Sequence, residues 1–346
     1  MQLVAMGAQD VYLTGNPQIT FFKVVYRRHT NFSKECIKQE FNGGAAGTGG
    51  TCTLARNGDL VQEIYVQSTA NNQASITTVE VEIGGQKIDK HYAAWLGIYD
   101  DLFDENAGLK AAIGANSGFV PLRFWFNRNP GLALPLIALQ YHEVKVIVAG
   151  TNCSHLLVNY LYLDTDERRR FAQVSHEYLI EQVQHTGVES VGTTKNNGGL
   201  NISKSLTLTF NHPVKALFWA WGTSTTDDSL GGYKAKLQLN GHDRASDQPD
   251  LYFTGVQPYE CGLKHNHPSD TALTAKDHGM YSFCLKPGEH QPSGTCNFSR
   301  IDNARLVLSE IAPGDATGAA QELHVFALNY NVLRIMSGMG GLAYSN

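Results

Sequence analysis

The sequence predicts an all-β protein of antiparallel sandwich or jelly-roll type, present as two consecutive copies in one chain. Three observations lead there. Charged residues make up only 17% of the 346 residues, and glycine is abundant at 34, a vocabulary of short strands and turns rather than of helical bundles. Alternating apolar segments are bounded by tight-turn signals. The same segments recur in the same order in both halves, and neither half shows the βαβ rhythm of a parallel sheet. The length suits about two domains of roughly 150 to 200 residues, each able to bury a core without disulfides or metal.

The chain opens on an arm, residues 1–30. Gln18 to Tyr26 (QITFFKVVY) is apolar, but Gly15-Asn16-Pro17 interrupts any long element before it. An exposed apolar arm needs a partner surface; a neighbouring subunit is one reading, folding back onto its own domain the other. The first jelly roll is expected over residues 31–185. Leu60 to Val66 reads as a strand. Thr78 to Ile83 alternates strictly, and Gly84-Gly85 supplies the positive φ of a hairpin turn. His91 to Glu105 carries Ala93, Leu96, Tyr99 and Phe103 at helical spacing. Leu122 to Phe126, Leu134 to Leu139, Val144 to Val148 and Leu156 to Leu163 read as further strands. Asp164 to Phe171 (DTDERRRF) places acids before three arginines, which suits the dipole of a short helix. It reads as a solvated turn between domains, with an anion or partner patch as the sharper alternative. A Gly/Asn-rich linker is expected at 186–200 and the second jelly roll at 201–346.

The duplication rests on spacing. Val214 to Trp219 matches Val61 to Val66 at an offset of 153, and Ala235 to Gly241 matches Val79 to Gly85 at 156. Phe283 matches Phe124 at 159, Ala304 to Leu308 matches Val144 to Val148 at 160, and Asn329-Tyr330 matches Asn159-Tyr160 at 170. Chance likeness between amphipathic strands is the rival account. Preserved order with a slowly growing offset is what loop insertions would produce.

Composition narrows the function. A net charge of -5 argues against a surface that coats nucleic acid. The six cysteines include no C-x-x-C pair and are expected as free thiols in a reducing compartment. No apolar run reaches the roughly 18 residues of a membrane span, and no signal-peptide pattern opens the sequence, so synthesis in the cytosol is expected.

Candidate chemistry is thin. The stretch from Tyr281 to Leu308 carries Glu289, His290, Cys296, Ser299, Arg300 and Asp302 between two apolar runs. These could supply a base, a nucleophile and an anion clamp, but no Ser sits in a G-x-S-x-G elbow. Pro287, Gly288, Pro292 and Gly294 mark Glu289 and His290 as loop-shaping residues. His265-Asn266-His267 resembles the H-x-H of a cupin metal site, yet the Glu such a site needs a few residues on is missing, and His278 is distant. Gly338 to Gly341 follows the last strand and opens no helix, so it makes no phosphate cradle. Phe124-Trp125-Phe126 could stack bases or sugars; strand alternation instead puts Phe124 and Phe126 in a core with Trp125 opposite. Sequons at Asn31, Asn152, Asn201 and Asn297 carry little weight without a signal peptide. No catalytic, cofactor-binding or metal residue is assigned, and a structural or binding role is favoured over an enzyme.

Long segments then carry a resemblance. They are Gly7 to Asn31, Val81 to His91 (VEIGGQKIDKH), Phe124 to Val144 (FWFNRNPGLALPLIALQYHEV), Tyr162 to Gln184 (YLDTDERRRFAQVSHEYLIEQVQ), Lys236 to Arg244 (KLQLNGHDR), Tyr281 to Leu308 and Asn329 to Asn346. In them the chain resembles the major capsid proteins of nucleocytoplasmic large DNA viruses. That resemblance implies a double jelly roll, two eight-stranded sandwiches with short helices in the connections. It implies a homotrimer of pseudo-sixfold outline that tiles an icosahedral shell, with neighbouring capsomers, minor capsid proteins and an internal membrane as partners, no direct nucleic-acid contact, and a place in the virion after synthesis in the host cytoplasm. Family members are typically longer. Their long loops build an outer tower with glycans and host contacts, where Ile98 to Phe119 and Trp221 to Lys234 are short here. A cupin-like or carbohydrate-binding jelly roll is the alternative from another class.

Overall fold

A computed structural model of the chain describes residues 7–43, 47–68, 76–103, 118–191, 202–221, 232–263, 278–311 and 321–345. In the first unit, β1 (Phe32–Glu40), β9 (Cys153–Leu163), β3 (Leu60–Ser68) and β6 (Phe119–Pro121) form one antiparallel sheet in that order, and the two-residue β7 (Leu134–Pro135) also pairs with β3. Opposite lie β2 (Gly49–Thr53), β8 (Val144–Gly150), β4 (Ile76–Ile83) and β5 (Gln86–Tyr92). Val81, Val146 and Val148 from one sheet meet Ile64, Val66 and Val158 from the other in a common core. The alternation seen in the sequence is what allows this, since every second side chain of a strand points to the same face.

The second unit repeats this plan strand for strand. One sheet runs β10 (His176–Val191), β18 (Gln321–Met336), β12 (Pro213–Trp221) and β15 (Gly279–Ser282), with β16 (Cys296–Asn297) on β12 and β19 (Met339–Leu342) on β18. The other runs β11 (Ile202–Thr207), β17 (Ala304–Ile311), β13 (Lys234–Leu239) and β14 (His242–Pro249). Adding nine to each strand number of the first unit, β1 to β9, gives its counterpart in the second, and the neighbour orders are identical. Among the described residues, β19 alone has no counterpart. Sandwiches in which strands 1-9-3-6 face strands 2-8-4-5 are jelly rolls. Both expected hairpins are present. Gly84 and Gly85 sit at φ 59° and 81° between β4 and β5, and Asn240 and Gly241 at φ 50° and 80° between β13 and β14, the left-handed pair of a two-residue hairpin.

Several local expectations change. Leu122 to Phe126 is not a strand: the chain leaves β6 and enters a one-turn helix, α3 (Trp125–Arg128). The Asn127 side chain accepts from the Phe124 N–H at 3.2 Å and donates to the Gln62 carbonyl at 2.8 Å, so a cap and a tertiary bond override aromatic strand propensity. Trp125 is as buried as Phe124 and Phe126 and is closed to bases or sugars. Of Leu134 to Leu139, only Leu134–Pro135 pairs as a strand. The helix read over His91 to Glu105 is α2 (Ala93–Leu102). The charged segment forms α4 (Thr165–Gln173), capped by the Asp164 carboxylate, and its Arg168 pairs with Asp59 at 2.9 Å. The expected boundary at residue 185 falls inside β10, which pairs with β18 along most of its length. The first six residues of the expected linker, 186–191, belong to β10. Of the expected linker, 192–200 lies outside the described residues.

The arm, residues 7–31, contains only α1 (Asp10–Thr14) and is exposed throughout. Tyr12 and Phe22 are 92% and 97% exposed, so the arm does not fold onto its own domain.

Candidate functional site

The sequence-selected residues of Tyr281 to Leu308 do not converge. The Glu289 carboxylate is exposed and pairs with Lys286 at 2.9 Å. Ser299 Oγ accepts from the His212 N–H at 2.8 Å, which holds a turn. Arg300 and Asp302 are exposed, and Cys296 lies on β16 with its thiol pushed up by burial. Burial also pulls the His290 imidazole below its usual range. The two apolar runs of the stretch enter different sheets, β15 beside β12 and β17 between β11 and β13. His265 and His267 lie outside the described residues. The Asp101 carboxylate accepts from His278 Nε2 at 3.0 Å. Among the described residues no cluster of three His, Cys, Asp or Glu side chains suits a metal.

What the fold does build is a seam between the two units. Helix α2 follows β5 and is buried on two faces. Leu96 enters the first core, while Trp95, Ile98 and Leu102 lie on the outer face of the β10–β18–β12–β15 sheet against Ala216, Phe218, Phe326 and Leu328. Trp95 meets Phe218 edge-on at 5.4 Å between centroids. Each of the larger side chains buried here, such as Ile98, Leu102, Phe218, Phe326 and Leu328, contributes roughly 1.5 to 3 kcal/mol of apolar burial. Backbone polarity is met across it too. The buried Asp89 carboxylate accepts from the Val183 N–H at 3.0 Å and bonds His91 Nε2 at 2.9 Å, and Gln182 donates to the Ile88 carbonyl.

An ionic cluster closes one end of the seam. Glu181 on β10 accepts from Arg128 of the first unit at 2.5 Å and from Lys215 of β12 at 2.6 Å. Lys215 is fully buried; its ammonium also donates to the Glu289 carbonyl at 3.0 Å and lies 5.0 Å from the Tyr330 ring centroid. Arg128 stacks over Tyr99 at 4.7 Å. The cleft beside them, ≈ 230 Å³, is lined by Trp125, Pro130 and Pro287 among others. Buried charges need such pairing, since an unpaired one is very costly. At the other end, burial lowers the His185 imidazole to about 4 and also lowers His324; their rings stack at 5.3 Å, with Tyr92 of the first unit 4.5 Å from His185.

The glycine-rich Gly338 to Gly341 has a packing role at this seam. The carbonyl of Gly338, at φ 80°, accepts from the Tyr141 N–H at 3.0 Å, and His142 Nδ1 lies 3.0 Å from the Gly340 carbonyl. A side chain at 338 would meet the Tyr141 ring at 2.6 Å. The tail of the second unit is thereby hooked onto the first. Sequence reading missed the seam because its partners, such as Arg128, Glu181 and Lys215, are far apart in the chain and each alone resembles a surface charge.

Comparison with known proteins decides what this architecture belongs to. The family described as large eukaryotic DNA virus major capsid protein matches residues 167–341, and the family of major capsid protein N-termini matches residues 20–165. The chain belongs to the major capsid protein family of large eukaryotic DNA viruses. It is 49% identical to the major capsid protein of Pyramimonas orientalis virus, covering 100% of this chain and 99% of that one. It is 42% identical to that of Paramecium bursaria Chlorella virus 1, with the same coverage. Those alignments run over 410 and 442 positions against 346 residues here, so these relatives carry segments this chain lacks. The solved capsid structure of PBCV-1 superposes with a TM-score of 0.80 at 36% identity, covering 94% of this chain and 100% of that one. The Faustovirus major capsid protein shares the fold, with a TM-score of 0.68 at 12% identity. The chain is thus a double jelly-roll capsid protein with a structural, non-enzymatic role in the virion. The family matches meet between residues 165 and 167, inside α4.

Proposed function

We propose that three copies of this capsid protein associate as a homotrimer of pseudo-sixfold outline, the repeating tile of an icosahedral shell. The observation that carries this is the strand-for-strand duplication locked by a buried seam. Two similar units per chain, held rigidly, give three chains six similar edges, and six similar edges pack as hexagons. On this reading the chain divides into the arm, a first jelly roll that ends at α4 and a second that begins with β10. The arm, with Tyr12, Phe22 and Val24 turned to solvent, takes its partner from outside the chain: a neighbouring capsomer, a minor capsid protein or the internal membrane surface. The acidic net charge of -5 fits a shell that makes no direct nucleic-acid contact, built from protein made in the host cytoplasm. Native mass spectrometry of the purified chain tests the trimer: the expected species has three times the 37.9 kDa mass of one chain, and electron microscopy shows hexagonal particles or sheets. A stable monomer at every concentration tried sinks the proposal.

A further inference from the structure

The ionic end of the seam carries more positive charge than negative. Glu181 is one carboxylate facing two cations, Arg128 and Lys215. Neighbouring acids are committed elsewhere: Asp100 accepts from Arg123 at 2.9 Å, and Glu289 pairs outward with Lys286. The charges acting on His290, in the same cluster, are again Glu181 against Lys215 and Arg128. Arg128 also has a donor to spare. Its Nε donates to the Arg123 carbonyl at 2.8 Å and its Nη1 to Glu181. Its Nη2 is buried and has no hydrogen-bond partner among the described residues. Buried donors are nearly always paired, and buried charge is costly unless a counter-charge meets it. The cleft of ≈ 230 Å³ borders this same side chain, and Tyr99, Phe103, Trp125, Pro130 and Pro287 give it flat apolar walls. A second cleft of ≈ 370 Å³ adjoins it, sharing Tyr99, Phe103 and Gly288.

From the surplus charge, the unmet Arg128 donor and the flat apolar slot beside them, we infer that this cleft is a binding site for a small organic carboxylate with a flat apolar body. The carboxylate accepts from Arg128 Nη2 and offsets the surplus positive charge, a charge-assisted pairing that a guanidinium makes well. The body lies against Trp125 and the prolines, as in small-molecule sites whose apolar walls carry a few placed polar groups. A dianion such as phosphate fits less well, because it would leave the cluster negative and has nothing to bury against the rings. The walls come from both units: Tyr99, Trp125 and Pro130 from the first, Glu181, Pro287 and His290 from the second. A ligand here therefore binds the closed seam and stabilises it by mass action. The site lies within one chain, so it does not depend on the trimer proposed above.

Fluorine NMR of para-fluorobenzoate titrated with the full-length protein reads binding directly, and para-fluorobenzamide is the neutral probe. The expected Kd is on the order of 1 mM or tighter, ordinary for a ligand of about ten heavy atoms, and the amide should bind roughly tenfold or more weakly. Two variants separate the causes. Arg128→Met removes the donor and leaves Glu181 paired with Lys215 alone. Lys215→Met removes the surplus charge at a fully buried residue and leaves Glu181 with Arg128. Each folded variant, checked by circular dichroism, should bind the benzoate about tenfold or more weakly than the parent; if one fails to fold, the other decides. Equal binding of benzoate and benzamide overturns the inference, as does parent-like binding by either folded variant. So does displacement by an equal concentration of inorganic phosphate, which would mean that the cleft selects charge alone. Absence of saturable binding up to about 10 mM also overturns it and assigns the cleft to water.

Discussion

Removing the negative charge of Glu181 is the sharpest single perturbation of the seam. Glu181 is the shared acceptor of Arg128 at 2.5 Å and Lys215 at 2.6 Å, and Lys215 is fully buried. In Glu181→Gln, two cations from opposite units face each other with no carboxylate between them. Breaking a buried pair from one side costs about 3 to 5 kcal/mol. Lys215→Met removes the other member, but Glu181 keeps Arg128, and the methionine fills much of the lysine stem's volume. Its cost is expected at about 1 kcal/mol, in the range of a volume-conserving core change. The prediction is thus an inequality, Glu181→Gln worse than Lys215→Met by roughly 2 kcal/mol or more. Urea denaturation at fixed protein concentration, followed by near-ultraviolet circular dichroism, measures it, because oligomerisation makes apparent stability depend on concentration. Equal losses for the two variants, or a Glu181→Gln loss within about 0.5 kcal/mol of the parent, the level of an ordinary surface change, would refute the reasoning that Glu181 neutralises both cations.

Three further outcomes are expected. An ordinary histidine takes up its proton near pH 6.5, but His185 does so only at about 4 in the fold, so between these values the unfolded chain binds more protons. Stability should fall as pH is lowered through that window, by roughly 2 kcal/mol once partial exposure is allowed for, and His185→Gln should flatten that part of a stability-against-pH curve. Gly338→Ala forces a left-handed φ of 80° on a side chain facing Tyr141; a loss of about 1 to 2 kcal/mol and faster proteolysis of the C-terminal tail should follow. Arg300→Ala, at an exposed site, should leave the melting of the fold unchanged to within about 0.5 kcal/mol, which a thermal scan will show.

Much of the fold was legible because its signals are local. The β4–β5 and β13–β14 hairpins are written in Gly84-Gly85 and Asn240-Gly241, and four pairs of repeated segments, β3/β12, β4/β13, β8/β17 and β9/β18, prove to be true counterparts. Local propensity failed at Phe124 to Phe126, where the cap from Asn127 and its bond to Gln62 decide the conformation. The seam was not legible. Nothing about Trp95 in the sequence says that its helix lies on another unit's sheet, since helical spacing reveals an apolar face but not what covers it. The polar residues of Tyr281 to Leu308 looked like chemistry because composition cannot tell convergence from scatter. In the fold, Glu289 is bound outward to Lys286, and Ser299 to a backbone N–H.

One detail of the cores bears on how the protein comes to exist in the cell. The core of the first unit is not made from the first half alone: Ile180, Leu333 and Ile335 of the second unit belong to it. Leu333 and Ile335 lie within the last fourteen residues of the 346-residue chain. The first hydrophobic interior is therefore complete only once the chain has been made as far as Ile335, and a product truncated before Leu333 lacks part of both sandwiches. Closure of the first sandwich is thereby tied to synthesis of β18, so the two units cannot mature one after the other as independent beads.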